Sequence, residues 1–312
     1  MLYVISLMFH NLIQSTVAGI WLLGLQRFSG PLSPIFLSQL LGLSLVLPVI
    51  IPLIQLSRQI TETPVLFRID LWSDSVVNSG KVGLGLFAIL VLGTGAIFLF
   101  QELLPVWKAR HGRMLAKRIF DERLQKSLQR VRGKYVTSRK STWRINSCRV
   151  FRVDVDTHFA AVSGFFIPEL LISQKFLSEL SDDELDAVLT HELAHLYFGD
   201  NGVLFFLWCF RGLQCLSPAA LVLFRNLIET REQACDALAT WILGDSQALI
   251  TALVKINSEA GPPLSHEITH HAEQISTAKR ISALQFSPSP PISRIPGLLA
   301  TLILGGILWA IH

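Results

Sequence analysis

The sequence predicts a mainly α membrane protein: four transmembrane helices with a compact α+β domain inserted between the third and the fourth. Three observations carry this. The chain has 312 residues, 51% hydrophobic and only 16% charged, against about a quarter charged in a soluble globular protein. Four stretches, Leu2 to Leu25, Ile35 to Leu56, Val82 to Leu104 and Ile295 to Ile311, are apolar over the length of a bilayer crossing. Spans of this number take up about 80 residues, which leaves enough polar chain, nearly all of it between the third and fourth stretches, for one compact domain. Disorder and an ordinary cytosolic enzyme are excluded by the same numbers.

The first stretch lacks the basic leader of a signal peptide, since no Lys or Arg precedes Arg27, and its apolar run is too long for one, so it is expected to be retained. His10, Asn11 and Gln14 within it are expected to bond neighbouring helices. Basic residues set the orientation. Between Lys108 and Arg152 there are 15 Lys and Arg against Asp121 and Glu122, and the positive-inside rule makes this segment cytoplasmic. Both termini and the loop from Arg58 to Lys81 then fall outside, and Pro105 to Arg294 inside. A nucleic-acid arm would show a similar basic run, but a juxtamembrane helix against anionic lipid explains the charge without a further partner, and no direct nucleic-acid contact is expected.

Residues 1–104 thus hold three spans and 105–143 a basic helix and linker. Residues 144–290 form the inserted domain, and 295–311 the fourth span. Val106 to Val131 has helical periodicity and reads as an extension of the third span. Arg144 to Asp156 and Phe165 to Ile172 read as strands of a small sheet. Ser181-Asp182-Asp183-Glu184 is a capping box, in which serine hydroxyl and glutamate carboxylate each satisfy an exposed amide hydrogen of the other's residue; the helix it opens should reach about Gly199. Further helices are expected over Ala219 to Leu243, Ser246 to Ser258 and Ala272 to Gln285, with Ser287 to Pro296 a linker. The four cysteines, Cys148, Cys209, Cys215 and Cys235, show no paired spacing and read as small buried side chains.

Inside the capped helix lies His191-Glu192-Leu193-Ala194-His195. Residues four apart share a helix face, so both imidazoles can meet one metal with Glu192 beside them. Two histidines, a carboxylate and an open fourth position suit a catalytic Zn2+, one per chain, with Glu192 as the base that takes a proton from water. On the next long helix Glu232 is placed to supply the third ligand and Asp236, one turn on, to orient a ligand histidine. The same five-residue pattern recurs at His266-Glu267-Ile268-Thr269-His270, but no Asp or Glu follows Glu273. That pair therefore lacks a third ligand downstream and reads as a polar helix start.

The apolar stretch Val203 to Phe224 is broken by Gly212 and Pro218 and carries Arg211. If Glu232 joins His191 and His195 the chain must return after this stretch. It is too short to cross twice, so a hairpin over about 202–224 is expected to dip into or lie on the cytoplasmic face. Asp200, Arg231 and Arg280 lie near the motifs, and spacing gives no reason to choose among them as the group that stabilises developing charge.

At these residues the chain resembles the BlaR/MecR-type integral-membrane zinc metallopeptidases, the antirepressors that transduce β-lactam signals. The resemblance rests on Gly164-Phe165-Phe166-Ile167-Pro168, the strand Glu169 to Ser173, Glu184 to Asn201, Ser217-Pro218-Ala219 and Arg231-Glu232-Gln233-Ala234-Cys235-Asp236. It implies a zincin-like (gluzincin) metalloprotease domain with zinc on His191, His195 and Glu232, Glu192 as base, and a cytoplasmic protein substrate, either a DNA-binding repressor or the chain itself. The prenyl-protein (CAAX) and heat-shock (HtpX) membrane proteases, the latter in quality control, are more distantly similar. In both groups the strand ahead of the HExxH helix borders the cleft, so the resemblance implies that Val162 to Ser173 pairs with an extended substrate backbone, with Val162, Ser163 and Gly164 as its substrate-strand residues. The sensors of the family carry a penicillin-binding domain after their last span, whereas this chain stops at His312, so direct β-lactam sensing is not expected. A non-catalytic signalling or scaffold protein that keeps the fold is the contrasting expectation.

Overall fold

A computed structural model of the chain describes residues 2–29, 32–58, 81–100, 104, 118–135, 142–154, 158–164, 167–258, 277–285 and 295–310. The chain divides into two compact units, one formed by Met1–His111, Phe206–Thr230 and Ile292–His312, the other by Gly112–Phe205 and Arg231–Pro291.

The first unit is helical: α1 (Leu2–Ser29), α2 (Pro34–Arg58), α3 (Lys81–Phe98) and α12 (Ile295–Trp309), with the tip of a hairpin between α8 (Asp200–Leu213) and α9 (Pro218–Leu243). Among the described residues one helix, Pro34–Ile54, is long and apolar enough to cross a membrane, with mean hydropathy 2.2. Ala18 of α1, Ile51 of α2 and Leu304 and Leu308 of α12 form a buried cluster. Of the polar residues expected to bond neighbouring helices, Gln14 does so, its Nε2 donating to Leu308 O at 3.3 Å; Ser15 Oγ, next to it, lies 2.5 Å from Ser217 Oγ. The hairpin tip is tied in by Gln214 Nε2, which donates to Leu45 O at 2.6 Å. Ser15 and Leu45 are near the middle of α1 and α2, so the tip reaches mid-length of those helices. Arg211, fully buried, donates to Gln214 O across the turn.

The second unit is a four-stranded sheet in the order β1-β2-β4-β3 with helices packed on it: β1 (Arg118–Ile119), α4 (Glu122–Tyr135), α5 (Thr142–Ser147), β2 (Arg149–Val153), β3 (Ala160–Ser163), β4 (Glu169–Ser173), α6 (Gln174–Glu179), α7 (Asp182–Phe198), α10 (Gln247–Ser258) and a helix over residues 277–285, α11. β2 and β4 pair in parallel, Val150 opposite Leu170. β1 and β3 join antiparallel on either side, which leaves β3 at an edge.

The capping box forms as expected: Glu184 N donates to Ser181 Oγ and Ser181 N to Glu184 Oε2. At the other end Gly199 takes φ 72° and its N–H returns to His195 and Leu196 carbonyls, a left-handed cap that glycine adopts without strain. Ser181→Ala should cost about 1 kcal/mol, read as a lowered thermal midpoint with zinc content unchanged. Along α7, Leu185, Leu189, Leu193 and Leu196 are buried against Leu170 and Ile172 of β4 and Leu124 and Leu128 of α4. Each such burial contributes roughly 2 kcal/mol, and together they fix the rotation of α7. Val188, His191, Glu192 and His195 are thereby placed on the neighbouring face, where they line a cavity.

Three readings change. The helix expected over Val106 to Val131 does not run through: residues 118–119 pair with Val153 and Arg152, and Asp121 accepts from Leu124 N to start α4 at Glu122. The strand expected from Arg144 begins only at Arg149, because Thr142–Ser147 is helical. The one expected from Phe165 begins at Glu169. Residues 105–117, Phe165, Phe166, 259–276 and with them His266 and His270 lie outside the described residues.

Basic side chains of the 118–152 region pair at the surface with acids of their own unit: Arg118 and Arg149 with Glu169, Arg123 with Asp182, Arg130 with Asp186 and Arg152 with Asp121. Five of the 15 basic residues between Lys108 and Arg152 are thus matched within the unit.

Candidate metal centre

Five helices, α7 to α11, and the strand β3 line the cavity, about 330 Å³ in volume. α7 presents His191 and His195, whose Nε2 atoms are 3.3 Å apart. α9 brings Glu232, with Oε2 3.5 Å from His191 Nε2 and Oε1 3.5 Å from His195 Nε2. Each imidazole is held from behind. His191 Nδ1 lies 2.8 Å from Asp236 Oδ1 and His195 Nδ1 2.7 Å from Asp200 Oδ2. A carboxylate accepts only, so it draws the ring proton to Nδ1 and leaves Nε2 as a lone pair. Two lone pairs and a carboxylate then face one point, a donor set that suits a bound cation. Zinc bonds of about 2.0–2.1 Å at tetrahedral angles put two nitrogens about 3.3–3.4 Å apart, which is the spacing observed. The donor set fits zinc.

Charge confirms what the point requires. In the metal-free protein burial disfavours a charged His191, yet Asp236 and Glu232 outweigh it and raise its pKa to about 10. His195 goes the other way, lowered by burial and by the neighbouring His191. Glu232 stays ionised despite burial, held well below the usual carboxylate range by His191 and Arg280. Near neutrality a single proton on His191 therefore takes the place of a metal cation. Zinc binding at pH 7 should release about one proton, seen as a buffer-dependent binding enthalpy in titration calorimetry. Affinity should rise with pH until His191 is neutral near pH 10.

The carboxylates behind the rings are each held by an arginine. Arg280 of α11 grips both oxygens of Asp236, Nε and Nη2 each at 2.7 Å, and its Nη1 lies 3.1 Å from Glu232 Oε2. Arg231 bonds Asp200 and stacks over the Phe198 ring, 4.9 Å from its centroid. Glu192 accepts from Val162 N at 3.1 Å, so the carboxylate is aimed by the edge strand. Gly164, just past β3, has φ 94° and an added Cβ there would meet Ile167 O at 2.2 Å; its carbonyl accepts from Asn201 Nδ2 at 2.7 Å.

Of the expected site residues, His191, Glu192, His195, Glu232 and Val162 line the cavity; Asp236 lies behind His191, and Ser163 and Gly164 follow Val162 along the chain without lining it. Four more belong to the site: Asp200, Arg231, Arg280 and Cys235. Asp200 lies beyond the Gly199 cap, where helical spacing no longer applies, and Arg280 is 44 residues after its partner Asp236. Cys235 Sγ sits 3.3 Å from His195 Nδ1; burial and nearby carboxylates push its thiol pKa well up, so it stays protonated. His195, Asp200 and Cys235 form a second group of potential ligand atoms. It uses the opposite edge of the same ring, and with Asp200 already on Arg231 and the thiol protonated, the first group is the better cation site.

A histidine pair and glutamate on α7, closed by a glutamate from α9 and flanked by a sheet edge, form a candidate metal centre. The family described as BlaR1 peptidase M56 matches residues 75–284, two-thirds of the chain, and this protein belongs to that membrane-associated family of metallopeptidases. No curated protein matches the chain.

Proposed function

We propose that this protein is a zinc endopeptidase of the inner (plasma) membrane that hydrolyses peptide bonds in a cytoplasmic or membrane-proximal protein as part of a signalling cascade. The observation that carries it is the convergence of His191, His195 and Glu232 on one point with the Glu192 carboxylate beside them. Zinc bound there supplies a Lewis acid for the substrate carbonyl and makes water a stronger acid. Glu192 takes the proton of the attacking water and passes it to the leaving amine. Asp236 and Asp200 hold the imidazoles in the ligating tautomer. β3, at the edge of the sheet among the described residues, offers its outer side to an extended substrate backbone as an added strand, with Val162 N on that side directed to Glu192; Val162, Ser163 and Gly164 are the residues at that edge. Val188, Leu249, Leu253 and Ile256 give the cavity an apolar wall.

The reading places α1, α2, α3 and α12 as four spans with both termini outside and the sheet unit cytoplasmic, supported by the basic count over 108–152 and by the mid-length position of the hairpin tip, which makes the hairpin re-entrant. The substrate in this reading is a DNA-binding repressor or the chain itself, as the family suggests. The test is zinc per chain on detergent-purified protein together with cleavage of fluorescein-labelled casein. One zinc in the wild type, lost or weakened at least tenfold in Glu232→Ala and unchanged in His266→Ala, is expected. Normal zinc in Glu232→Ala, or its loss in His266→Ala, overturns the ligand assignment and the returning hairpin with it.

A further inference from the structure

Peptide hydrolysis moves charge to a definite atom. As the water oxygen bonds to the carbonyl carbon and gives its proton to Glu192, the carbonyl electron pair moves onto the peptide oxygen. When the C–N bond then breaks, that pair returns and the amine leaves with the proton from Glu192. A fixed cation or donor at the peptide oxygen lowers the barrier because it is already oriented when the charge arrives.

Geometry separates the candidates for that donor. Asp200 is an anion. Arg231 is spent behind His195, on Asp200 and the Phe198 ring. Arg280 is on the ligand side: Nη1 is 3.1 Å from Glu232 Oε2, Nη2 is 3.5 Å from His191 Nε2, and the residue lines the same cavity as Ala160, Ala161 and Val162 of β3. Its position is fixed at both ends. Asp236 holds the Nε–Nη2 edge of the guanidinium through both its oxygens, and Leu284 and Ile281 dock α11 among Ala187, Ala239, Leu249 and Leu253. Nη1 carries a second N–H beyond the one directed to Glu232. The family match extends to residue 284 and so includes this helix.

We propose that Arg280 is a further catalytic residue, whose Nη1 donates to the scissile carbonyl oxygen as it becomes an oxyanion; this rests on the peptidase reading above. Its grip on Asp236 and Glu232 is then the preorganisation that aims it. The site is complete only when α11 is docked, although every metal ligand lies before it in the chain.

The test compares wild type, Arg280→Gln and Arg280→Lys in the full-length, zinc-loaded protein. Four quantities are measured: zinc per chain, kcat and KM on labelled casein, Kd for a phosphinic pseudopeptide with phenylalanine-like and leucine-like side chains, and rescue of Arg280→Ala by guanidinium ion. Arg280→Gln should keep its zinc, lose about 10²–10³-fold in kcat with KM changed by no more than a few-fold, and bind the phosphinic group more weakly by a comparable factor. Arg280→Lys, which keeps a cation beside Asp236 but not the fork, should bind zinc and still lose at least tenfold in kcat, and guanidinium should restore part of the Arg280→Ala rate. Wild-type kcat per bound zinc, unchanged phosphinic affinity, or a rate loss that merely follows zinc content overturns the proposal. A wild type that cleaves while Arg280→Gln keeps its kcat removes this inference alone. A wild type that neither cleaves nor binds the phosphinic peptide, with Glu192→Gln indistinguishable from it, removes the peptidase reading and this inference together.

Discussion

Glu192→Gln is expected to retain one zinc per chain and to lose about 10²–10⁴-fold in peptide cleavage, the range set by removal of a positioned general base. The substitution is close to isosteric, and its carbonyl oxygen can still accept from Val162 N, the contact that aims the carboxylate at 3.1 Å. Folding and metal binding should therefore change little, because Glu192 does not contribute one of the three converging ligand atoms. What the amide cannot do is take a proton from water. Glu192→Asp provides the contrast: it keeps the acid but withdraws it by one methylene, so the Val162 contact and the reach to water are lost together. Zinc by elemental analysis and casein cleavage on the same preparations decide the matter. Unchanged cleavage in Glu192→Gln refutes the assigned role of the base, and lost zinc would mean that the carboxylate is a ligand.

How far the sequence reaches depends on the range of the forces involved. The metal face was legible because i, i+4 spacing is a local property of one helix, and the capping box and Gly199 mark where that helix starts and stops. Glu232 and Asp236 were legible for the same reason once a second helix was assumed. The partners behind the histidines divide along this line. Asp236 shares a helix with Glu232, whereas Asp200 follows a left-handed cap and Arg280 approaches from a distant helix, so their roles depend on tertiary packing. The sheet shows the same limit. β3 is four residues, Ala160–Ser163, too short for alternation to show, and β1 is two residues whose pairing with β2 overrides the helical periodicity around it. Basic residues between Arg118 and Arg152 have no nearby acids in sequence beyond Asp121 and Glu122. Their partners Glu169, Asp182 and Asp186 are supplied by folding, and charge counting alone misses them.

Asp236→Ala should be the most damaging single change behind the metal ligands. The carboxylate is 2% exposed and faces two cationic partners, His191 Nδ1 at 2.8 Å and the Arg280 fork at 2.7 Å on each oxygen. Its ionised form is kept despite burial, chiefly by Arg280 and then by His191. Removing it leaves the Arg280 guanidinium, 14% exposed, without its main counter-ion, and breaking a buried pair from one side costs about 3–5 kcal/mol. At roughly 2–4 °C per kcal/mol for a domain of this size, the thermal midpoint of the metal-free protein should fall by about 6–20 °C. Zinc affinity should fall as well, about 10–100-fold, because His191 loses the acceptor that sets its tautomer and ring plane. The two effects can be separated. Asp236→Asn keeps an acceptor for Nδ1–H without the charge, so it should recover more of the zinc affinity than of the stability. Asp236→Leu combined with Arg280→Met removes both charges, so stability should return toward wild type while zinc affinity stays low. Wild-type midpoint and zinc affinity in Asp236→Ala would show that His191 is oriented by packing alone and that the Arg280–Asp236–His191 chain contributes nothing to the metal centre.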